Sequence, residues 1–137
     1  MSTLVLDASA AVRIVVGPPP EGIVTVLESA DEVIAPSLFT EEVPNALWKY
    51  VHAGVLTSSD AIARVRTALS FCDTFVPVSN DDSLSKEAFN EACRLDHPFY
   101  DLLYLVTARR NAAVLATCDR RLATLASSQG VPVLTED

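Results

Sequence analysis

The chain opens on Thr3-Leu4-Val5-Leu6, an apolar run that ends at a single acid, Asp7, and passes at once into small residues, Ala8-Ser9-Ala10. A strand with one wet face alternates apolar and polar side chains. A run without alternation reads as a strand covered on both faces, the kind found in parallel sheets. Open α/β sheets place their ligands beyond the carboxyl ends of such strands, which is where Asp7 stands. The rest of the chain must then supply covering helices, and the question is whether other acids return to the same edge.

Strands and helices do alternate. Ala8 to Val16 reads as a helix, stopped by Gly17-Pro18-Pro19-Pro20, since proline cannot continue a helix and disfavours helical geometry before it. A helix from Glu21 to Ala30 follows, then a strand, Glu32-Val33-Ile34-Ala35, closed by Pro36. Ser37 is predicted to cap a helix reaching His52, with Gly54 ending it and Pro44 kinking it. Thr57-Ser58-Ser59-Asp60 opens a helix to about Ser70. Phe75-Val76-Pro77-Val78 is a short strand that Pro77 demotes to an edge. Asp82 or Ser83 starts a helix ending near Arg94. Asp96-His97-Pro98 then predicts a helix start, with Asp96 as its cap, running to Arg110. Ala113 to Thr117 is a fourth strand, Asp119 to Ser127 a helix closed by Gly130, and Val131 to Leu134 a fifth strand. The alternation predicts a parallel sheet covered on both faces, in a single domain over 1–137.

The chain carries 18 acidic and 10 basic residues, a net charge of −8, which argues against a generic phosphate-binding surface. It does not exclude a nucleic-acid enzyme, because a carboxylate cluster that takes a cation is itself acidic. The cations are uneven, with Arg109, Arg110, Arg120 and Arg121 crowded into the last third. They read either as solvated helix ends or as guides for a phosphate backbone. The apolar runs are too short to span a bilayer, and no signal peptide is evident. Cys72, Cys93 and Cys118 form no C-x-x-C pair, which predicts buried free thiols in a reducing, cytoplasmic setting.

Helices that follow parallel strands begin at the carboxyl edge. Asp7, Asp101, Asp119 and either Glu41 or Glu42 therefore fall on one edge. At about 100° per residue, Glu42 flanks the apolar face of its helix, roughly 65° from the centre, while Glu41 points to solvent. Asp101 flanks the face made by Leu102, Leu105 and Val106. Converging carboxylates repel and raise one another's pKa, so a hard divalent cation, Mg²⁺ or Mn²⁺, is implied. Taken singly, Asp101 and Asp119 read more readily as a helix cap or first-turn charge, whereas Asp7 at a buried strand end is less easily explained that way.

Four segments, in order, resemble the motifs of PIN domains. They are Val5-Leu6-Asp7-Ala8-Ser9-Ala10, Glu42-Val43-Pro44-Asn45-Ala46-Leu47, Tyr100-Asp101-Leu102-Leu103-Tyr104 and Thr117-Cys118-Asp119-Arg120-Arg121-Leu122. The compact length resembles the VapC-type toxins of toxin–antitoxin pairs. The resemblance implies a five-stranded parallel sheet in a three-layer α/β/α sandwich. It implies a metal-dependent endoribonuclease that leaves 5′-phosphate and 3′-hydroxyl ends, with Asp7, Glu42, Asp101 and Asp119 as the acidic site. Ser9, Asn45 and Thr117 would support those carboxylates. It further implies a homodimer and a small antitoxin whose helix covers the groove. Pro44 departs from the motif, where a helix former is usual.

Other residues weigh less. Asp96 reads as a cap rather than a ligand, and His52 and His97 as structural. Trp48, Tyr50 and Tyr104 read as core or dimer packing rather than base stacking. One rival is a binding module on the same scaffold, acting by dimerisation and antitoxin pairing with little catalysis. Another is a phosphotransferase using Asp7 as nucleophile, disfavoured because Ser9 breaks the D-x-D pattern.

Overall fold

A computed structural model describes residues 2–78 and 84–136. Leu4, Val5 and Leu6 are at most 1 % exposed, so the opening run is covered on both faces as its pattern requires. It forms β1 (Thr3–Leu6), followed by α1 (Ala8–Val16), α2 (Glu21–Ser29), β2 (Glu32–Pro36), α3 (Phe39–His52) and α4 (Ser58–Ser70). The chain continues through β3 (Thr74–Val76), α5 (Leu84–Leu95), α6 (Phe99–Arg110), β4 (Val114–Ala116), α7 (Arg120–Ser128) and β5 (Val133–Leu134). The predicted start of α5 at Asp82 or Ser83 lies outside the described residues.

All five strands are parallel, in the order β3-β2-β1-β4-β5. The order grows outward from β1 in both directions. Parallel crossovers are right-handed, so the connections made while moving from β1 towards β3 cover one face and those made towards β5 cover the other. The packing agrees: α1, α3 and α4 pack on one another, and α5 and α7 pack on α6. Helix α6 is the interior helix, packed on β1, β2 and β4. Its residues Leu102 to Ala108 are all buried, which is why it has no polar stripe. The result is the α/β/α sandwich with a five-stranded parallel sheet. No single helix among the described residues is long and apolar enough to cross a membrane.

Several local expectations are corrected. Ser37 does not cap α3. The helix enters through a tight turn in which the Leu38 carbonyl accepts from the Glu41 and Glu42 amides, and Leu38 is itself helical. Asp96 does not cap α6 either. It is exposed with φ 51°, one of the positions where an acid tolerates left-handed backbone, and Pro98 takes the cap position with no side-chain hydrogen bond. As expected, Pro44 lies inside helix α3, with Val43 and Leu47 fully buried on either side of it. Cys93 is exposed rather than buried, and Cys72 and Cys118 are half-buried; all three are free thiols. Trp48 is not a core residue: it is 57 % exposed and stacks on His52, with ring centroids 5.0 Å apart.

Arg109 and Arg110 are spent on packing α6 against α5. Arg109 donates to Glu87 at 2.7 Å and to Glu91 at 2.8 Å, and Arg110 donates to Glu87 at 2.9 Å. Hydrogen bonds from Arg94 and Arg109 hold the Glu91 carboxyl down at about 2. A carboxyl lowered in the fold contributes stability that is lost as pH falls through its folded value. The arginines are exposed and the pairs screened, so Arg109→Gln is expected to cost no more than about 1 kcal/mol in urea unfolding at pH 7. The cost should fade in melts taken towards pH 2.

Candidate active site at the carboxyl edge

In β1 and β4, Leu6 and Ala116 are register partners, and the Asp7 amide donates to the Ala116 carbonyl at 3.1 Å. The next residues along, Asp7 and Thr117, therefore emerge side by side. This pair of strands is also where the sheet order reverses direction, the position at which open α/β sheets open a crevice.

Asp7 is 4 % exposed and fully hydrogen-bonded. Its Oδ1 accepts from the Ala10 amide at 2.9 Å and the Ser9 hydroxyl at 2.7 Å, and its Oδ2 accepts from the Thr117 hydroxyl. It thereby caps α1. Burial outweighs these bonds, and with nearby Asp119 it pushes the Asp7 carboxyl up to about 7. Thr117, fully buried, also accepts from the Asp119 amide at 2.9 Å, while Ser9 accepts from the Cys118 amide at 3.0 Å. Two hydroxyls thus tie the end of β1 to the loop after β4. Asp119 caps α7, its Oδ1 accepting from the Arg121 and Leu122 amides.

The second pair of acids comes from α3 and α6. Glu42 is half-buried and Glu41 exposed, as the helical wheel requires. The Tyr104 hydroxyl donates to Glu42 Oε1 at 2.6 Å. Burial raises the Glu42 carboxyl against that bond, with Asp101 adding to the rise. Asp101 Oδ2 meets His97 Nε2 at 2.8 Å. Tyr104 lies between the pairs: burial, Glu42 and Asp7 all push its hydroxyl upward.

The four acids read from the sequence thus reach one edge as two pairs, Asp7 with Asp119 and Glu42 with Asp101. Among the described residues, no three acidic, His or Cys side chains draw together as a ready-made cage for an ion. The donors nonetheless fit a hard divalent cation. They are all oxygens, and at Asp7 burial makes the negative charge costly until something positive meets it. Mg²⁺ takes one or two carboxylates and keeps several waters, which suits paired acids better than a closed cage.

Of the expected supports, Ser9 and Thr117 bond Asp7 directly. Asn45 is exposed and makes no side-chain hydrogen bond among the described residues. Of the expected RNA guides, Arg120 and Arg121 sit exposed at the start of α7 beside Asp119. Arg109 and Arg110 lie at the far end of α6 from Asp101, already paired with glutamates.

Sequence reasoning passes over three residues of this edge. Tyr104 reads as packing, yet it lies three positions after Asp101, on a neighbouring part of the same helix face. His97 reads as structural and holds Asp101. Glu136 follows β5, so the rule that selects Asp7 and Asp119 selects it too. It is paired with Arg13 of α1 and lines a pocket with Thr117, Asp119 and Arg120.

An all-parallel α/β sandwich with paired acids at its switch point defines a class of fold and site. The PIN domain family model matches residues 4–128, and the chain belongs to that family. A search of curated proteins by sequence returned no match. Solved structures with the same fold include PAE2754 from Pyrobaculum aerophilum, at 22 % identity and TM-score 0.73, covering 96 % of this chain and 83 % of that one. DNA-bound VapBC from Salmonella typhimurium matches at 15 % identity and TM-score 0.71 over 100 % of both chains. FitAcB from Neisseria gonorrhoeae matches at 17 % identity and TM-score 0.65 over 97 % of each.

Proposed function

We propose that the chain is a metal-dependent endoribonuclease hydrolysing RNA phosphodiester bonds, and the toxin of a toxin–antitoxin pair. The observation that carries this reading is Asp7. A carboxylate buried at the switch point, gripped at both oxygens and repelled by Asp119, is costly as a structural cap and well suited to face a cation. The toxin part is supported by the ordered motifs and by fold neighbours that bear the VapBC name.

Asp7, Asp101 and Asp119 would hold Mg²⁺ or Mn²⁺, with Glu42 directly or through water. When bound, the ion offsets the carboxylate repulsion and stabilises charge developing on the phosphate under attack. The chain's own residues supply the geometry. Ser9, Thr117 and the Ala10 amide fix both Asp7 oxygens against rotation. The amides of α7 orient Asp119, Tyr104 orients Glu42, and His97 orients Asp101. These restraints hold the reacting groups in place before the substrate arrives.

The test is cleavage of a labelled RNA with Mg²⁺, with and without EDTA, beside Asp101→Asn. Chelation should abolish cleavage, and the variant should lose at least about a hundredfold, the scale expected when one preorganised electrostatic group is removed. Full activity in the variant would sink the nuclease assignment. Copurification of a small protein encoded next to this one tests the toxin part separately.

A further inference from the structure

Four arginines of this chain, Arg13, Arg94, Arg109 and Arg110, are each paired with a glutamate. Arg120 and Arg121, by contrast, have no carboxylate partner among the described residues, although the chain carries a net charge of −8. Both project from the first turn of α7, and both line a cleft with His97, Thr124 and Ser128. The amides at that helix end are not the attraction, because Asp119 already takes those of Arg121 and Leu122. The cleft is therefore built from side chains: two guanidinium groups, two hydroxyls and an imidazole, with Leu125 as its apolar member. Its His97 wall is the same ring whose Nε2 holds Asp101 at 2.8 Å. Cleft and carboxylates are thus adjoining parts of one surface.

We infer that this cleft, lined by Arg120, Arg121, Thr124 and Ser128, is the subsite for a backbone phosphate of single-stranded RNA beside the bond that is cut. The inference rests on the nuclease reading above and deepens it. Guanidinium forks and hydroxyls match the donor geometry that a phosphate accepts. An unpaired cation pair beside an acidic site offsets the repulsion that a polyanion would meet there, and the strand gains a defined direction from the carboxylates towards α7. Arg109 and Arg110, neutralised by Glu87 and Glu91, are excluded from this role.

The test measures binding of a fluorescent single-stranded RNA by anisotropy across a salt series, in the Asp7→Asn protein with Mg²⁺ so that the strand stays intact. Adding Arg120→Ala and Arg121→Ala together should weaken binding about tenfold at low salt. It should also flatten the log–log salt dependence by about 0.7 for each phosphate that is no longer neutralised. Arg120→Lys with Arg121→Lys should restore most of the slope, and Arg109→Gln with Arg110→Gln should leave it unchanged. Intact RNA binding with an unchanged slope in the alanine pair overturns the subsite alone. No RNA binding by the parent protein overturns the nuclease reading and the subsite with it. Equal competition by poly-glutamate would assign the cleft to an acidic protein segment instead.

Discussion

Asp7→Asn is expected to remove RNA cleavage and, at pH 8 in EDTA, to make the protein more stable than the wild type. The Asp7 carboxyl stands at about 7 in the fold, against 3.8 for an ordinary aspartate, because burial disfavours its charge. Below 3.8 it is protonated whether folded or unfolded. As pH rises from there to 7, the unfolded chain releases the proton while the fold retains it. Stability therefore falls across that window, and above it the fold carries the full cost of the buried charge. Asparagine removes the charge and keeps the bonds. Its oxygen accepts from Ala10 and Ser9, and its amide donates to the Thr117 hydroxyl, which can turn towards Ser9 at 3.3 Å. The expected gain at pH 8 is on the order of 2–4 kcal/mol, read as a rise in melting temperature of about 5–15 °C. It should shrink towards zero as melts approach pH 4. Added Mg²⁺ at pH 8 should raise the midpoint of the wild type and not of the variant. A variant less stable than the wild type at pH 8, or a difference that ignores pH, would show that the Asp7 charge is not what the fold strains against.

Thr117→Val tests the same network from the other strand and should act in the opposite direction. Valine keeps the shape and removes a fully buried hydroxyl that donates to Asp7 and accepts from the Asp119 amide. A buried carboxylate and a part-buried amide lose a partner at once, which predicts a loss of about 2–4 kcal/mol in urea unfolding. Cleavage should fall with it, since Asp7 and Asp119 both lose the group that sets their separation. Thr117→Ser should recover most of both. Wild-type stability in the valine variant would mean that the hydroxyl is not what joins β1 to the loop after β4.

The acids of the candidate site are legible as a set rather than singly. Asp7 follows an unalternating strand, Asp119 follows another, and Asp101 and Glu42 lie near helix starts, so the rule that crossover helices begin at the carboxyl edge places all four together. The wheel of α3 separates Glu42 from Glu41 because burial there is periodic. Where sequence pattern misleads, the cause is a competing interaction that local pattern does not record. Asp96 reads as a cap, but the backbone turns left-handed there and the chain enters α6 at Pro98. Tyr104 reads as core because it is apolar in bulk, and its role depends on one hydroxyl meeting an acid 62 positions earlier. The four arginines look alike in sequence. Only the packing of α5 on α6 shows that two of them already have partners.

The sequence by itself determined the covered parallel strands, the alternation with helices and the family, and it nominated a set of acids, because these follow from short-range patterns of apolar and polar residues. The tertiary structure alone decided the strand order β3-β2-β1-β4-β5, which puts β1 beside β4 and opens the crevice at Asp7. It alone decided that the acids form two pairs, and that Tyr104 holds Glu42 and His97 holds Asp101. The Thr117 bond to Asp7 and the Tyr104 bond to Glu42 join elements distant in sequence. Their geometry depends on register and burial, which no stretch of the chain specifies alone.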